Sequence, residues 1–159
     1  MAYRLSEDAV ISVTSPSATD VGGTTAATAY VSMENFSRAV FFCELGTWNG
    51  SDDLDHFRIE QATDSSGTSM KELTTDGSGG NYDTDSPLDA DGDQGVIEIR
   101  AEDLDVDNGF DFIRGVVGED GNSGTDDVVG VLIRYGAAYR KKEQQGAASA
   151  SIVYVDTNT

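Results

Sequence analysis

The single histidine is the first residue to consider for catalysis. A hydrolase built on a nucleophile, a base and an orienting acid usually needs a histidine as the base, and this chain has only His56. His56 stands between Asp55 and Phe57 in an alternating segment, and no Gly-x-Ser-x-Gly nucleophile turn accompanies it. A phosphate-binding loop, zinc-ligand spacing and a dinucleotide fingerprint are absent as well. We therefore interpret His56 as a solvent-facing strand residue and predict that the protein is not an enzyme.

Three alternating aspartates are the pattern closest to a metal site. Asp89, Asp91 and Asp93 place carboxylates in a glycine-containing loop, the spacing by which oxygen ligands surround Ca²⁺. A helix–loop–helix site that begins at Asp89 requires glycine at its sixth position and an acid at its twelfth, where this chain has Gln94 and Arg100. Acidic turns exposed to solvent explain the pattern better. We therefore predict no bound metal or other cofactor, and these aspartates remain only candidate calcium ligands.

A basic cluster lies near the end of the chain. It contains four of the ten basic residues, Arg134, Arg140, Lys141 and Lys142. Positive charge here would complement acidic patches on a partner and would orient docking more than it would raise affinity. The alternative is the solvated end of a hairpin, where charge prevents edge-to-edge aggregation. The sequence leaves both interpretations open, and the four residues are candidate interface residues.

The charge balance excludes two classes of partner. The chain has 29 acidic residues against 10 basic ones and a formal net charge of −19, which repels nucleic acid and anionic membranes. The apolar runs also stay far below the ~20 residues that a membrane-spanning helix requires. We therefore predict no nucleic-acid partner and no membrane association.

The N-terminus and the cysteine content bear on the cellular compartment. Residues 1–8 lack a basic leader followed by an apolar block and a cleavage site, so we expect synthesis in the cytoplasm. Cys43 is the only cysteine, which excludes an intrachain disulfide. It lies in an apolar run, where a small buried hydrophobe is the usual role of a free cysteine.

Strands are the elements that must position these residues. Short β-rich runs separated by turn-forming residues recur along the chain, and we see no convincing amphipathic helix beyond one turn at 101–104. The predicted strands are 9–13, 26–33, 37–46, 54–62, 68–74, 96–100, 110–117, 128–139 and 148–155. Residues 75–95 are predicted to be one long acidic surface loop. The fold class is therefore all-β, a β-sandwich of about eight or nine strands.

One domain accounts for most of the chain. We predict an N-terminal strand with a candidate arm over residues 1–25 and a single β-sandwich domain over residues 26–159. Alternation in the fourth of these strands turns Phe57 inward and charge outward, giving a half-solvated strand. Further along the chain, Phe110, Phe112 and Val116 are expected to face inward. Most of six apolar residues should lie in the core or in a subunit interface, namely Phe41, Phe42, Phe57, Ile59, Val131 and Ile133.

Two segments of the first half carry a family resemblance. Tyr30–Phe42 (YVSMENFSRAVFF) and Arg58–Thr68 (RIEQATDSSGT) resemble the capsid decoration, or cement, proteins encoded beside the major capsid gene of tailed bacteriophages. The resemblance implies a β-sandwich or jelly-roll fold and a place on the outer capsid surface of the virion. It also implies a homotrimer that binds the major capsid protein and braces the shell against internal DNA pressure.

Alternatives remain at the level of topology and of function. An immunoglobulin-like sandwich has the same strand content, so the resemblance alone favours the jelly roll. The functional alternatives are another virion module, in the tail, the fibre base or host adhesion, and a calcium- or carbohydrate-binding β-module. Copy number in purified particles separates a decoration protein from other virion modules, and metal-dependent melting tests the calcium-binding alternative.

Overall fold

Ten antiparallel strands form the fold over the residues that the computed structural model describes, which are 9–13, 19–48, 54–73, 88–119 and 125–137. In chain order they are β1 (Ala9–Val13), β2 (Thr19–Asp20), β3 (Thr25–Ala27), β4 (Val31–Ser32), β5 (Phe36–Leu45), β6 (His56–Ala62), β7 (Lys71–Glu72), β8 (Gln94–Arg100), β9 (Phe112–Gly118) and β10 (Asp127–Ala137). Two 3-10 turns, Ala101–Asp103 and Val106–Asn108, join β8 to β9. Across these ranges, no helix has the length and apolar character needed to cross a membrane.

The strands pair into two sheets with nested connectivity. Sheet A has the order β1-β10-β5-β8, and sheet B has the order β3-β9-β6-β7. The short strands β2 and β4 pair with β10 and β9 beyond the ends of β1 and β3, so β1 with β2, and β3 with β4, each occupy one strand position in a sheet. The ten strands therefore fill eight positions. In chain order, the first position pairs with the eighth, the second with the seventh, the third with the sixth and the fourth with the fifth. This is the jelly-roll arrangement, so the predicted β-sandwich is confirmed and its connectivity is resolved.

Apolar side chains from both sheets meet in one core. Phe41 of β5 and Phe57 of β6 pack with their ring centroids 5.4 Å apart, and both side chains are buried. A Cβ atom at Gly115 of β9 would lie 2.3 Å from the Phe41 ring. A glycine in β9 is therefore required for the Phe41 ring to fill the space between the sheets.

Two predicted strands differ from the structure in extent. The segment predicted as one strand over 26–33 is divided into β3 and β4. At Thr28 the backbone N–H donates to the Gly115 carbonyl at 2.9 Å, but the Gly115 N–H donates to the Thr28 hydroxyl at 3.0 Å instead of a carbonyl. The side chain thus replaces one main-chain ladder bond. The strand predicted over 68–74 shortens to β7, because Asp64 accepts the N–H groups of Ser66 and Thr68 in a preceding turn.

The prediction of inward-facing residues in β9 is partly wrong. Phe110 is buried as predicted, but Phe112 and Val116 pair with Ala62 and Arg58. They therefore lie on the outer face of sheet B, opposite the core residues Ile113 and Val117. The error follows from the strand period, because shifting a strand by one residue exchanges its two faces.

The predicted acidic loop ends earlier than expected, because β8 begins at Gln94 and incorporates Gly95. Residues 88–93 form a turn with Gly92 in the left-handed region, at φ 82°. The N-terminal strand is found as predicted, in sheet A against β10. Residues 14–18 of the candidate arm, residue 74 of the predicted strand 68–74, residues 75–87 of the loop and the predicted strand 148–155 lie outside the described residues.

Candidate interaction surface

The outer face of sheet A carries a group of apolar side chains, which we name the apolar strip. Its members are Ile11, Val40, Phe42, Val96, Val131 and Ile133. Strand register places Phe42 between Val131 and Val96 and places Val40 beside Ile133. Val96 is 61% exposed and Ile11 37% exposed, and the other four side chains are half-buried. Alternation explains the strip, because Phe41 and Phe42 are neighbours in β5 and must face opposite sides of the sheet.

On β5 itself, the residues at the two ends of the strip, Arg38 and Glu44, carry opposite charge. At one end, Arg38 Nη1 lies 3.4 Å from Glu98 Oε1, and Tyr135 donates its hydroxyl hydrogen to the same carboxylate. The hydrogen bond from Tyr135 and the charge of Arg38 hold the pKa of Glu98 below its ordinary value. At the other end, Gln94 Nε2 donates to Glu44 Oε2 at 3.0 Å. β5 therefore presents a cation, two apolar residues and an anion in succession along the outer face.

The Arg38 end of the strip continues into an open depression. Its lining includes Arg38 and Arg100 together with Ser37, Ala101 and Glu102. Both arginines are exposed, and Arg100 Nη1 lies 3.1 Å from Glu102 Oε1. The depression is thus a polar border of the strip.

The outer face of sheet B is organised around a buried carboxylate. Glu60 is 1% exposed. Its Oε1 accepts from Arg58 Nε at 3.0 Å and from Arg58 Nη2 at 2.8 Å. Its Oε2 accepts from Arg114 Nε at 2.7 Å and from the Tyr30 hydroxyl at 3.1 Å. Burial alone would raise the pKa of Glu60, but the hydrogen bonds from Arg114 and Arg58 outweigh it and lower that pKa. The predicted half-solvated strand is therefore wrong at this end of β6.

Further side chains enclose this carboxylate, and we call the whole set the Glu60 network. Arg58 Nη1 lies 2.6 Å from His56 Nδ1, and Arg58 Nε lies 3.2 Å from Glu72 Oε1. The Arg114 guanidinium stacks on the Tyr30 ring at 4.6 Å. Burial and the neighbouring carboxylate raise the pKa of Tyr30 to about 12, so its hydroxyl remains a hydrogen donor. The network satisfies the polar groups of this face from within the chain.

The lone histidine belongs to this network. It is half-buried against Arg58 rather than fully solvent-facing as the sequence indicated. The alternation of His56, Arg58 and Glu60 in the sequence was a usable signal for a polar face. It did not reveal that Arg114 and Tyr30, distant in sequence, complete the set.

Two of the three candidate calcium ligands accept hydrogen bonds from backbone amides. Asp91 Oδ1 accepts from the Trp48 N–H at 2.7 Å, and Asp93 Oδ2 accepts from the N–H groups of Asp89 and Ala90 at 3.2 Å each. In the described parts of the chain, no group of three or more His, Cys, Asp or Glu residues is arranged to hold a metal ion. These contacts give Asp91 and Asp93 a role in shaping the turn before β8.

Arg134 is the only candidate interface residue within the described ranges, since residues 140–142 lie outside them. It projects inward beside Leu132 and joins the two sheets. Its Nη1 donates to the Ser32 carbonyl of β4, and its guanidinium lies 4.6 Å from the centre of the Phe36 ring. Burial lowers its pKa. Arg134 thus has a structural contact of its own, and the interface role of the basic cluster stays a prediction.

Comparison of the chain with protein-family models, with curated proteins and with solved structures finds no match in any of the three.

Proposed function

We propose that the protein is a non-enzymatic capsid decoration protein of a tailed phage, which binds the outer surface of the major capsid shell and stabilises it as an oligomer. The apolar strip is the observation that carries this proposal. Contiguous apolar patches on soluble proteins mark surfaces that associate with a partner. A flat sheet face with a polar border fits association with a macromolecule better than it fits enclosure of a small ligand.

The charge distribution supports association at this face. The chain as a whole carries a net charge of −19, which opposes contact between acidic surfaces. At one end of the strip, however, Arg38 pairs with Glu98 and Arg100 pairs with Glu102, so the formal charges of these four residues cancel. The arginines near the strip therefore reduce, at this face, the repulsion that the net negative charge of the chain would exert on an acidic partner.

The resemblance and the fold also agree with the proposal. Val40 and Phe42 of the strip fall within the Tyr30–Phe42 segment that resembles decoration proteins, and the jelly roll is one of the folds that the resemblance implies. In this role the contribution is mechanical. Small contacts repeated over a closed lattice raise the total cost of opening the shell, and multivalent attachment lengthens the residence of each subunit.

Particles assembled without the protein provide the test. We expect shells that form normally but lose DNA on heating or osmotic shock, with resistance restored when purified protein is added back. In intact particles, its copy number should approach that of the major capsid protein. Particles that lack the protein, withstand heating equally well and fail to adsorb to cells would contradict the proposal and indicate an adhesion module.

The basic cluster offers a second, finer test of docking. Arg140→Glu combined with Lys141→Glu should weaken rebinding to stripped shells more at low salt than at high salt, because screening removes electrostatic steering. Rebinding by the variant that matches the wild type at every salt concentration would exclude a docking role for this cluster.

A further inference from the structure

We infer that residues 148–155 of this chain pair as an antiparallel strand with the open edge of β8. These residues are the last strand predicted from the sequence, and they lie outside the described residues. The inference goes beyond the proposed function, because a strand added at the edge of sheet A leaves the outer face of that sheet, and with it the apolar strip, uncovered.

The open edge of β8 presents backbone groups at regular spacing. The Leu45 N–H donates to the Asp93 carbonyl at 2.9 Å, which identifies this pair, at the start of β8, as one that shares hydrogen bonds between β5 and β8. Such pairs recur at every second residue, so the odd-numbered residues of β8 direct their backbone groups to β5. The even-numbered residues direct their N–H and carbonyl groups to the open side, and these residues are Gln94, Val96 and Glu98. In the described parts of the chain, no strand pairs with this side of β8.

Its length distinguishes this edge from the other sheet edges in the described ranges. β8 has seven residues, without a proline, a lysine or an inward-pointing charge that would block further pairing. The other edge strands are β1 with five residues, the pieces β2, β3 and β4 with two or three, and β7 with two. Short or interrupted strands protect the edges of natural sheets, whereas a long unbroken edge is usually covered by another segment. The edge of β8 is therefore the one that calls for an occupant.

The end of β10 lies within reach of this edge. Ala137, the last described residue, lies beside Phe36 at the end of β10, and Arg100 lies at the matching end of β8. Three strand spacings, roughly 15 Å, lead from β10 across β5 and β8 to the open edge. Residues 138–147 span up to roughly 33 Å when extended, so a strand at 148–155 can start beside Arg100 and run antiparallel to β8. At the opposite edge of the sheet it would run parallel to β1, which is the less stable pairing.

The open depression at this end of sheet A lies on the same path. A Cβ atom at Gly136, near the end of β10, would lie 2.2 Å from the Ser37 hydroxyl oxygen. Ser37 lines the depression, and Arg100 and Glu102 line it at the end of β8. The depression therefore leads from the end of β10 towards the open edge of β8, along the shortest route for residues 138–147.

The sequence of the segment fits an edge strand. Residues 148–155 read ASASIVYV, with β-branched and aromatic residues and with no glycine, proline or charge. A segment of this composition promotes aggregation when it is left unpaired. The short connection to β10 gives the segment a high effective concentration at the edge of its own chain, which favours that edge over the edge of a second copy.

Amide hydrogen exchange of the full chain, followed by nuclear magnetic resonance, is the test. In the wild type, the N–H groups of Val96 and Glu98 should be protected from exchange. The variant carries Ile152→Pro together with Val153→Pro. Only alternate residues of a strand donate to one neighbour, so one of the two adjacent prolines must remove a hydrogen bond to β8. Exchange at Val96 and Glu98 should then become at least about tenfold faster.

Two controls accompany the variant. The N–H groups of Ile97 and Ile99 point to β5, so they should remain protected in every folded variant and serve as an internal reference. Thr157→Pro together with Asn158→Pro is the matched control, because it places two adjacent prolines just beyond the segment. It should leave exchange at Val96 unchanged.

The remaining outcomes decide against the inference or return to the wild type. Fast exchange at Val96 and Glu98 in the wild type would overturn it, and so would protection that survives the prolines at 152 and 153. Protection that increases with protein concentration would also overturn it, because the strand on β8 would then come from a second copy. If those prolines unfold the chain, Ile97 loses protection as well. Nuclear Overhauser contacts between residues 148–155 and β8 in the wild type then decide, and their absence would exclude the pairing.

Discussion

The outer faces of the two sheets solve the problem of an exposed sheet surface in opposite ways. On sheet B, Glu60 is almost completely buried, yet both of its carboxylate oxygens have hydrogen-bond donors from the same chain. On sheet A, the apolar strip remains partly open to solvent, with Val96 its most exposed member. On sheet B the buried carboxylate is paired within the chain, whereas sheet A leaves apolar surface for a partner to cover.

Side-chain length accounts for the difference. Arg58 and Arg114 are long enough to lie across the sheet and enclose Glu60 between them, with Tyr30 stacked against Arg114. Short apolar side chains such as Val40 and Val96 have neither the reach nor the polar atoms to close a surface. A face built of arginine and tyrosine can therefore cover itself, and a face built mainly of valine and isoleucine cannot.

Substitution of the buried carboxylate gives the largest expected effect. Glu60→Gln removes the negative charge between Arg58 and Arg114 but keeps the size of the side chain. Arg114 then loses the carboxylate at 2.7 Å and Arg58 keeps only the more exposed Glu72, so the free energy of unfolding should fall by about 3 kcal/mol. Equilibrium denaturation with urea measures the change.

Glu72→Gln is the matched control for this substitution. Glu72 lies in the same network but is more exposed, and its Oε1 lies 3.2 Å from Arg58 Nε. Its loss should cost less than about 1 kcal/mol, as for a surface ion pair. Equal effects of the two substitutions would show that the buried carboxylate of Glu60 contributes no more to the free energy of unfolding than the more exposed carboxylate of Glu72.

Acidification should weaken sheet B in a way that the same variant reveals. The pKa of Glu60 is lowered in the folded state, so its stabilising contribution is complete above the ordinary glutamate pKa of about 4.3. That contribution is lost as the pH falls through the lowered folded-state pKa. Below about pH 4, wild type should therefore lose more stability than Glu60→Gln, as measured by parallel melting curves.

Parallel pH profiles of the two proteins over this range would contradict that expectation. They would mean that Glu60 has the same pKa in the folded and unfolded chains. Other carboxylates titrate in both proteins alike, so the difference between the curves isolates this residue.

The smallest effect on stability is expected on the opposite face. Val96→Thr replaces a methyl group by a hydroxyl at an exposed position, and the free energy of unfolding should change by no more than about 0.5 kcal/mol. In the proposed decoration role, contact with the shell would bury that hydroxyl without a partner, so rebinding to stripped shells should weaken about tenfold. Rebinding assays and denaturation on the same samples separate the two quantities.

Val106→Thr is the control for the strip. Val106 is 54% exposed in the second 3-10 turn and lies off sheet A. It should alter neither stability nor rebinding to stripped shells. Equal weakening of rebinding by both substitutions would show that the strip contributes no more to docking than the rest of the surface.

Much of the fold could be predicted from local pattern. Alternation placed Phe57 and Ile59 in the core, and the β-rich run at 96–100 located β8 to within two residues. The faces of β9 were harder to assign, because Val116 and Val117 are adjacent apolar residues and both are buried, on opposite sides of the sheet. Only the pairing with β6 distinguishes them, and pairing is a non-local property.

The candidate surface was anticipated in part. Three of the six residues expected in a core or interface, Phe41, Phe57 and Ile59, are core residues. The other three, Phe42, Val131 and Ile133, lie in the apolar strip. The charged ends of the strip and the Glu60 network were not anticipated, since both depend on residues brought together from different strands. Contacts such as Arg114 with Glu60 become visible only after β6 and β9 are aligned.

The buried position of Cys43 makes the reactivity of its thiol a measure of how readily the sandwich opens. Its side chain is fully buried in β5, where its paired residues on both neighbouring strands are glycines, Gly95 and Gly130. Burial raises the pKa of its thiol to about 12, so the reactive thiolate is scarce while the sandwich is closed. Alkylation of this thiol therefore requires sheet A to separate locally from the core. The fraction of Cys43 that is alkylated after a given time reports how readily that opening occurs.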